Sequence, residues 1–159
     1  MAISTRQATT ADAVLISSLN CDVQALHAAA MPWRFKPPGP DTFPPSSAAA
    51  LLALPDHLVF IAEVSRDPAG YAYAEIVRRP ETPFHYAHDL VHLHHISVRP
   101  GQRRSGVGRA LIGAVRAAAE AEGIDLLTLD VWSFNEHARA FFCREGFAPY
   151  IERMWSRQP

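Results

Sequence analysis

Apolar and polar positions along the chain switch between two periods, and the switches mark the elements. Residues 3–8 alternate as a short strand. Leu15, Leu19, Val23 and Leu26 then recur at helical spacing, with Thr10 as N-cap. A proline-rich stretch, "MPWRFKPPGPDTFPP", resists regular structure and predicts a stiff loop over 31–45. A short helix follows over 46–54, capped by Ser46 or Ser47. "HLVFIAEV" (57–64) and "YAYAEIV" (71–77) read as strands joined by the turn chemistry of "SRDPAG", a hairpin. Residues 80–90 form a polar loop. "VHLHHISV" (91–98) is a third strand, stopped by Pro100.

From Val107 the apolar stripe of Leu111, Ala114, Val115 and Ala118 predicts a helix that Gly123 ends. "DLLTLDVW" (125–132) is apolar enough for a buried strand. "NEHARAFFCRE" (135–145) is a helix, capped by Asn135 or Ser133 and closed by Gly146. "PYIERMW" (149–155) reads as a last strand. The pattern predicts one α/β domain over 1–159, a mixed sheet with helices on its faces.

Composition changes this picture little. At 159 residues and 48% hydrophobic, the chain can bury a core without disulfides. Cys21 and Cys143 form no close ligand pair. A net charge of −1 gives no footprint for nucleic acid. The longest apolar run, "AAALLALP", is too short to span a membrane, and no leader pattern opens the sequence. The default expectation is a cytoplasmic protein without nucleic-acid or membrane partners.

Candidate chemistry begins at "VRPGQRRSGVGRAL", where a strand runs through a glycine-bearing loop into a helix. The first amides of a helix have no internal partners, and its dipole is positive there. Such a terminus favours anions, and Gly106 and Gly108 would let a phosphate approach the backbone. Arg99, Arg103, Arg104 and Arg109 add charge. The Gly-Lys-Ser/Thr element of a nucleotide P-loop is missing. A tight turn with solvated arginines is the alternative.

The segment Arg103-Arg104-Ser105-Gly106-Val107-Gly108 resembles the acyl-CoA-binding motif of the GCN5-related N-acetyltransferases (GNAT), Arg/Gln-x-x-Gly-x-Gly/Ala. "NEHARAFFCREGF" (135–147) is similar to that family's second signature, at the family's usual separation. The resemblance implies a GNAT-type acyl-CoA N-acyltransferase fold. Its mixed central sheet would have a splayed parallel strand pair, 91–98 beside 125–132, and helices on both faces. It also implies acetyl-CoA as co-substrate. The amides from Arg103 through Ser105, Gly106 and Val107 to Gly108 and Arg109 would cradle the pyrophosphate. Backbone at Ile96, Ser97 and Val98 would pair with the pantetheine arm, and Asn135 and Phe142 would contact the cofactor from the other side. The implied reaction is direct attack by a primary amine, of a small molecule or a peptide, on the thioester. A homodimer is possible, as in many relatives.

Phe142 stands where the family often carries a tyrosine that protonates the leaving thiolate. A thiol near pKa 8.5 already leaves fairly well, so water, or no acid, would serve. The departure also keeps open a non-catalytic acyl-CoA sensor. Candidate bases are His94 and His92, with Glu75 as base or ammonium anchor. Strand alternation would put His92 and His94 on one face with Ile96 and Val98, and His95 on the other. That split argues against a metal site in the "HLHH" run. Trp33 and Phe35 in the proline-rich loop are candidates for the acceptor pocket.

Overall fold

The computed structural model describes residues 2–158. Strand β1 (Ile3–Gln7) and a 3-10 turn (Thr10–Asp12) precede helices α1 (Ala13–Ala30) and α2 (Pro45–Leu52). Strands β2 (His57–Val64), β3 (Asp67–Arg79) and β4 (His88–Val98) follow. After a second 3-10 turn (Pro100–Gln102) come α3 (Val107–Ala121), β5 (Leu127–Leu129) and α4 (Glu136–Arg144). The sheet order is β1-β2-β3-β4-β5. Neighbours are antiparallel except β4 and β5, which run parallel.

Two apolar clusters flank this sheet. On one face Ile16, Leu19 and Ala48 of α1 and α2 cover Val59, Ile61, Tyr71 and Tyr73. On the other, Leu111, Ile112 and Val115 of α3 and Phe142 of α4 cover Ala72, Ala74, Ile76, Val91 and Leu93. Each fully buried leucine, isoleucine or valine contributes about 1.5–3 kcal/mol, so both helical layers are held mainly by burial.

Several boundaries differ from the sequence expectation. The first cap is Thr9, with a 3-10 turn before α1: Asp12 accepts the Thr9 amide at 2.8 Å. The Arg6 guanidinium binds the same carboxylate and is the main reason its pKa falls to about 2. Pro44 caps α2 and Pro45 opens it, where a missing N–H costs nothing; Ser46 and Ser47 lie inside. The β2–β3 hairpin turns on Ser65 and Arg66, both at positive φ as a tight primed turn needs. The strand expected over 125–132 shrinks to Leu127–Leu129. The strand expected over 149–155 does not form: residues 147–158 carry no regular structure. A three-residue β5 offers little ladder for a further strand to extend, so Tyr150 and Ile151 stay exposed.

Candidate active site

The site begins with a register fault. On β3, Ala74 faces Leu93 and Tyr73 faces His95, so His94 has no partner residue. This one-residue bulge resets the alternation of β4. His92 and His94 lie on the α1 side of the sheet. His95 and Ser97 lie there too: His95 Nδ1 is 3.0 Å from the Tyr71 hydroxyl, and Ser97 donates to the Leu19 carbonyl at 2.8 Å. Ile96 and Val98 turn to the α3 side and pack on its core. The expected split, His92 and His94 with Ile96 and Val98 against His95, is therefore corrected. All three imidazoles share one face, because a bulge shifts the side-chain parity by one. Among the described residues, no three His, Cys, Asp or Glu side chains are grouped to hold a metal ion.

The bulge also re-aims the backbone. The Val91 amide donates to Leu126 across the β5 edge, and the Arg99 amide donates to Ala69 across the β3 edge. Counting through the bulge, the amides of Ile96 and Val98 face the β5 side. Pairing with β5 ends at Leu93 and Leu129. Beyond that point the β4 edge lies open, and His94 is the first residue past the last pair.

Around this opening the side chains form a connected polar group. His94 Nε2 is 2.8 Å from Glu75 Oε2. A carboxylate only accepts, so His94 Nε2 carries a proton, and in the neutral ring Nδ1 keeps the lone pair. Among the described residues nothing hydrogen-bonds that Nδ1. His92 Nδ1 is 2.8 Å from the Thr128 hydroxyl, and its ring sits 4.7 Å from that of His94. Burial, then the neighbouring His94, pushes the His92 pKa down, so the two imidazoles resist being charged together.

His95 has a structural role. Asn20 donates to the Tyr71 hydroxyl at 2.8 Å, so that hydroxyl spends its own hydrogen on His95 Nδ1. Burial, reinforced by His94 and His27, lowers the His95 pKa to about 4. An unfolded imidazole takes its proton near pH 6.5, which the folded one refuses until about pH 4. The contribution to stability is thus complete above pH 6.5 and lost as pH falls towards 4. A shift of this size corresponds to about 3 kcal/mol. The His95→Gln variant, melted at pH 7.5 and pH 4.5, is expected to lose less stability between the two than the wild type. An equal loss would contradict a neutral, buried His95.

The glycine-bearing loop lies at the C-terminal end of β4. Gly106 caps α3 at φ +98° and Arg104 sits at φ +62°, both in the left-handed region. A Cβ on Gly108 would come within 3.0 Å of the Phe141 ring, so this glycine lets α3 lie close against α4. The amides of Gly106, Val107, Gly108 and Arg109 are the four that a helix leaves without internal acceptors. Two of the arginines are tied back to the protein: Arg103 Nε donates to the Val98 carbonyl and Arg109 Nε to Glu145, each at 3.2 Å. Ser105 donates to the Gln102 carbonyl at 2.6 Å. Asn135 caps α4, its side chain accepting the Ala138 amide at 3.1 Å. Phe142 is buried in the α3-side core between Phe141 and Phe147.

Trp33 and Phe35 part company. Phe35 packs on His27 and Trp132, at 5.0 and 5.2 Å between ring centroids, and Phe134 completes the cluster. Trp33 is half exposed and meets the C-terminal segment instead, stacking on Trp155 at 5.5 Å with Arg157 over its ring. The sequence reading missed Trp132, Phe134, Tyr73, Thr128 and His57. His57, Tyr73 and Thr128 are strand residues whose neighbours show only once the register is known, and Trp132 and Phe134 lie in the loop between β5 and α4.

A parallel pair whose ladder stops at Leu93 and Leu129, a glycine-capped helix at its open end and a histidine–carboxylate cluster beside it together define a site class, and sequence comparison agrees. The described acetyltransferase (GNAT) family matches residues 23–147, and the chain belongs to that family. Curated protein sequences gave no match. Among solved structures, the BH1408 protein from Bacillus halodurans (a tetramutant) is 24% identical, with TM-score 0.92 over 99% of this chain and 100% of that one. An aminoglycoside acetyltransferase, AAC(6')-Iy, in complex with a CoA bisubstrate analogue, is 21% identical, with TM-score 0.77 over 100% and 99%. A transcriptional regulator from Bacillus halodurans C-125 is 16% identical, with TM-score 0.75 over 99% and 100%. These likenesses establish the fold. Among the described residues no helix is long and apolar enough to cross a membrane.

Proposed function

We propose that this chain is an N-acetyltransferase that moves an acetyl group from acetyl-CoA to a primary amine of a small molecule or peptide. One observation carries the proposal. His94 is the first residue past the last β4–β5 pair, and its Nε2 lies 2.8 Å from Glu75, which leaves Nδ1 of the neutral ring free to accept a proton. The arrangement has the logic of a carboxylate-oriented imidazole base. In this reading the acceptor ammonium gives its proton to His94 Nδ1, directly or through one water. The amine nitrogen then bonds to the thioester carbonyl carbon as the carbon–sulfur bond breaks, and the second proton it sheds passes through water to the departing thiolate. The Val98 amide, facing the opening, polarises that carbonyl. Glu75 steadies the imidazolium. His92, held by Thr128, stands beside it with its ring 4.7 Å from that of His94 as the second candidate acceptor.

The first four amides of α3 fit a pyrophosphate, since they lack helical acceptors and lie where the dipole is positive. Ile96 and Val98, whose amides face the opening, offer backbone to a pantetheine arm, with Ser97 between them paired to Tyr71 of β3. Asn135 and Phe142 act on that side through the α4 cap and core. Trp132, Phe35 and Phe134 supply an aromatic wall for the acceptor. The thiolate leaves to water, because Phe142 has no proton to give.

A second reading, a non-catalytic acyl-CoA sensor, is favoured by Phe142 alone. The deciding experiment is free-thiol release from acetyl-CoA with a panel of aryl amines, polyamines, aminoglycosides and peptide N-termini. Release above background with at least one amine is expected. Tight acetyl-CoA binding with no release from any amine would favour the sensor.

A further inference from the structure

His57 opens β2, outside both motifs, and the β2–β3 register sets it opposite Glu75. Its ring stacks on Tyr73 at 5.3 Å, and Tyr73 in turn stacks on His94 at 4.8 Å. Strand order places Tyr73 between the two imidazoles. The Tyr73 hydroxyl is 3.0 Å from His57 Nδ1, its one hydrogen-bond partner among the described residues. Burial, then Glu75, pushes that hydroxyl up to about 12, so it keeps its hydrogen at neutral pH. A buried hydroxyl with a single partner donates to it. His57 Nδ1 therefore accepts, and its proton sits on Nε2. That Nε2 faces Glu75 Oε1 at 4.0 Å, a span that one water or a small closure completes. Glu75 thus stands between two imidazole N–H groups, with His94 on its other oxygen at 2.8 Å.

We propose that His57 is a positioning residue for the transfer reaction. Fixed by Tyr73, it holds the Glu75 carboxylate so that His94 keeps its Nδ1 lone pair turned to the incoming amine. The inference rests on the reading of His94 as proton acceptor. The titratable groups around His57 are Tyr73 and Glu75 of β3, then His94 and His92 of β4. Asp56 precedes it in the chain, and α2 carries no charged side chain.

Two substitutions separate the two ends of the ring. His57→Asn keeps an acceptor near Nδ1 for Tyr73 but removes the N–H aimed at Glu75. His57→Gln restores an N–H near the Nε2 position. With acetyl-CoA and the best amine of the panel, His57→Asn is expected to lower kcat about tenfold, the scale seen for groups that orient a functional imidazole. The acetyl-CoA KM should not move, and His57→Gln should recover most of the rate. Nitrogen-15 NMR of the histidines supplies a readout that needs no turnover. His94 should be in the Nε2–H form in the wild type and in His57→Gln, and a tautomer mixture in His57→Asn. Equal losses in both variants with an unchanged His94 tautomer would overturn the positioning role, as would an unchanged rate in His57→Asn. A wild type that acetylates no amine defeats the acetyltransferase reading, and the NMR comparison then decides the positioning role by itself.

Discussion

The Gly106→Glu variant is expected to lose acetyl-CoA binding by at least about 100-fold, some 3 kcal/mol, while keeping its fold. Two independent effects act on the ligand. A carboxylate on the N-cap of α3 would sit among the orphan amides of Gly106 to Arg109 and compete for them. Its charge would also repel the pyrophosphate at close range, where screening by water is weakest. The fold has reason to survive. A Cβ at this position meets only the Ile3 side chain, at 3.4 Å, an ordinary contact. The left-handed φ of +98° adds strain of order 1–3 kcal/mol, which a protein of ordinary stability tolerates. Titration calorimetry with acetyl-CoA, beside a melting curve, checks both halves. Gly106→Ala carries the backbone strain without the charge and should lose far less affinity. Unchanged acetyl-CoA affinity in Gly106→Glu would remove this loop from the phosphate site.

The contrast between what was legible in the sequence and what was not follows the range of the interactions. The α3 stripe and its glycine cap could be read because a helix start is written in adjacent residues. The Asn135 cap of α4 is local for the same reason. The β2–β3 hairpin followed from the turn chemistry between its strands. The bulge at His94 was not legible, since alternation along β4 presumes regular pairing and the fault is a property of the β3–β4 pair. The error it caused was specific: it moved His95 to the wrong face. His57 escaped notice because only the β2–β3 register connects it to Glu75. A strand was expected over 149–155, but a strand needs a partner edge, and β5 is three residues long. Trp155 finds Trp33 instead.

The His94→Ala variant is expected to lower kcat by about 100-fold or more, the usual span for a positioned base. Acetyl-CoA binding should be unaffected, because the α3 terminus and the Ile96–Val98 edge lie past the bulge. The geometry also fixes how Glu75 must behave. The carboxylate is joined to His94 at 2.8 Å. Glu75→Gln would present an amide N–H or a carbonyl to His94 Nε2, and the N–H orientation forces the imidazole proton to Nδ1. That tautomer has no lone pair towards the amine. Glu75→Gln should therefore fall between wild type and His94→Ala. In the double variant the two losses should not add, since each disables the same proton acceptor. The pH dependence gives the sign. A wild-type rate that levels off once an imidazole is freed of its proton should instead keep climbing with pH in His94→Ala, where transfer then relies on the small fraction of amine that is already neutral. Its deficit is thus largest on the acid side and narrows as pH rises and the amine deprotonates unaided. A constant deficit across pH would assign His94 to packing against Tyr73, with which it stacks at 4.8 Å, and would leave His92 as the group that receives the proton.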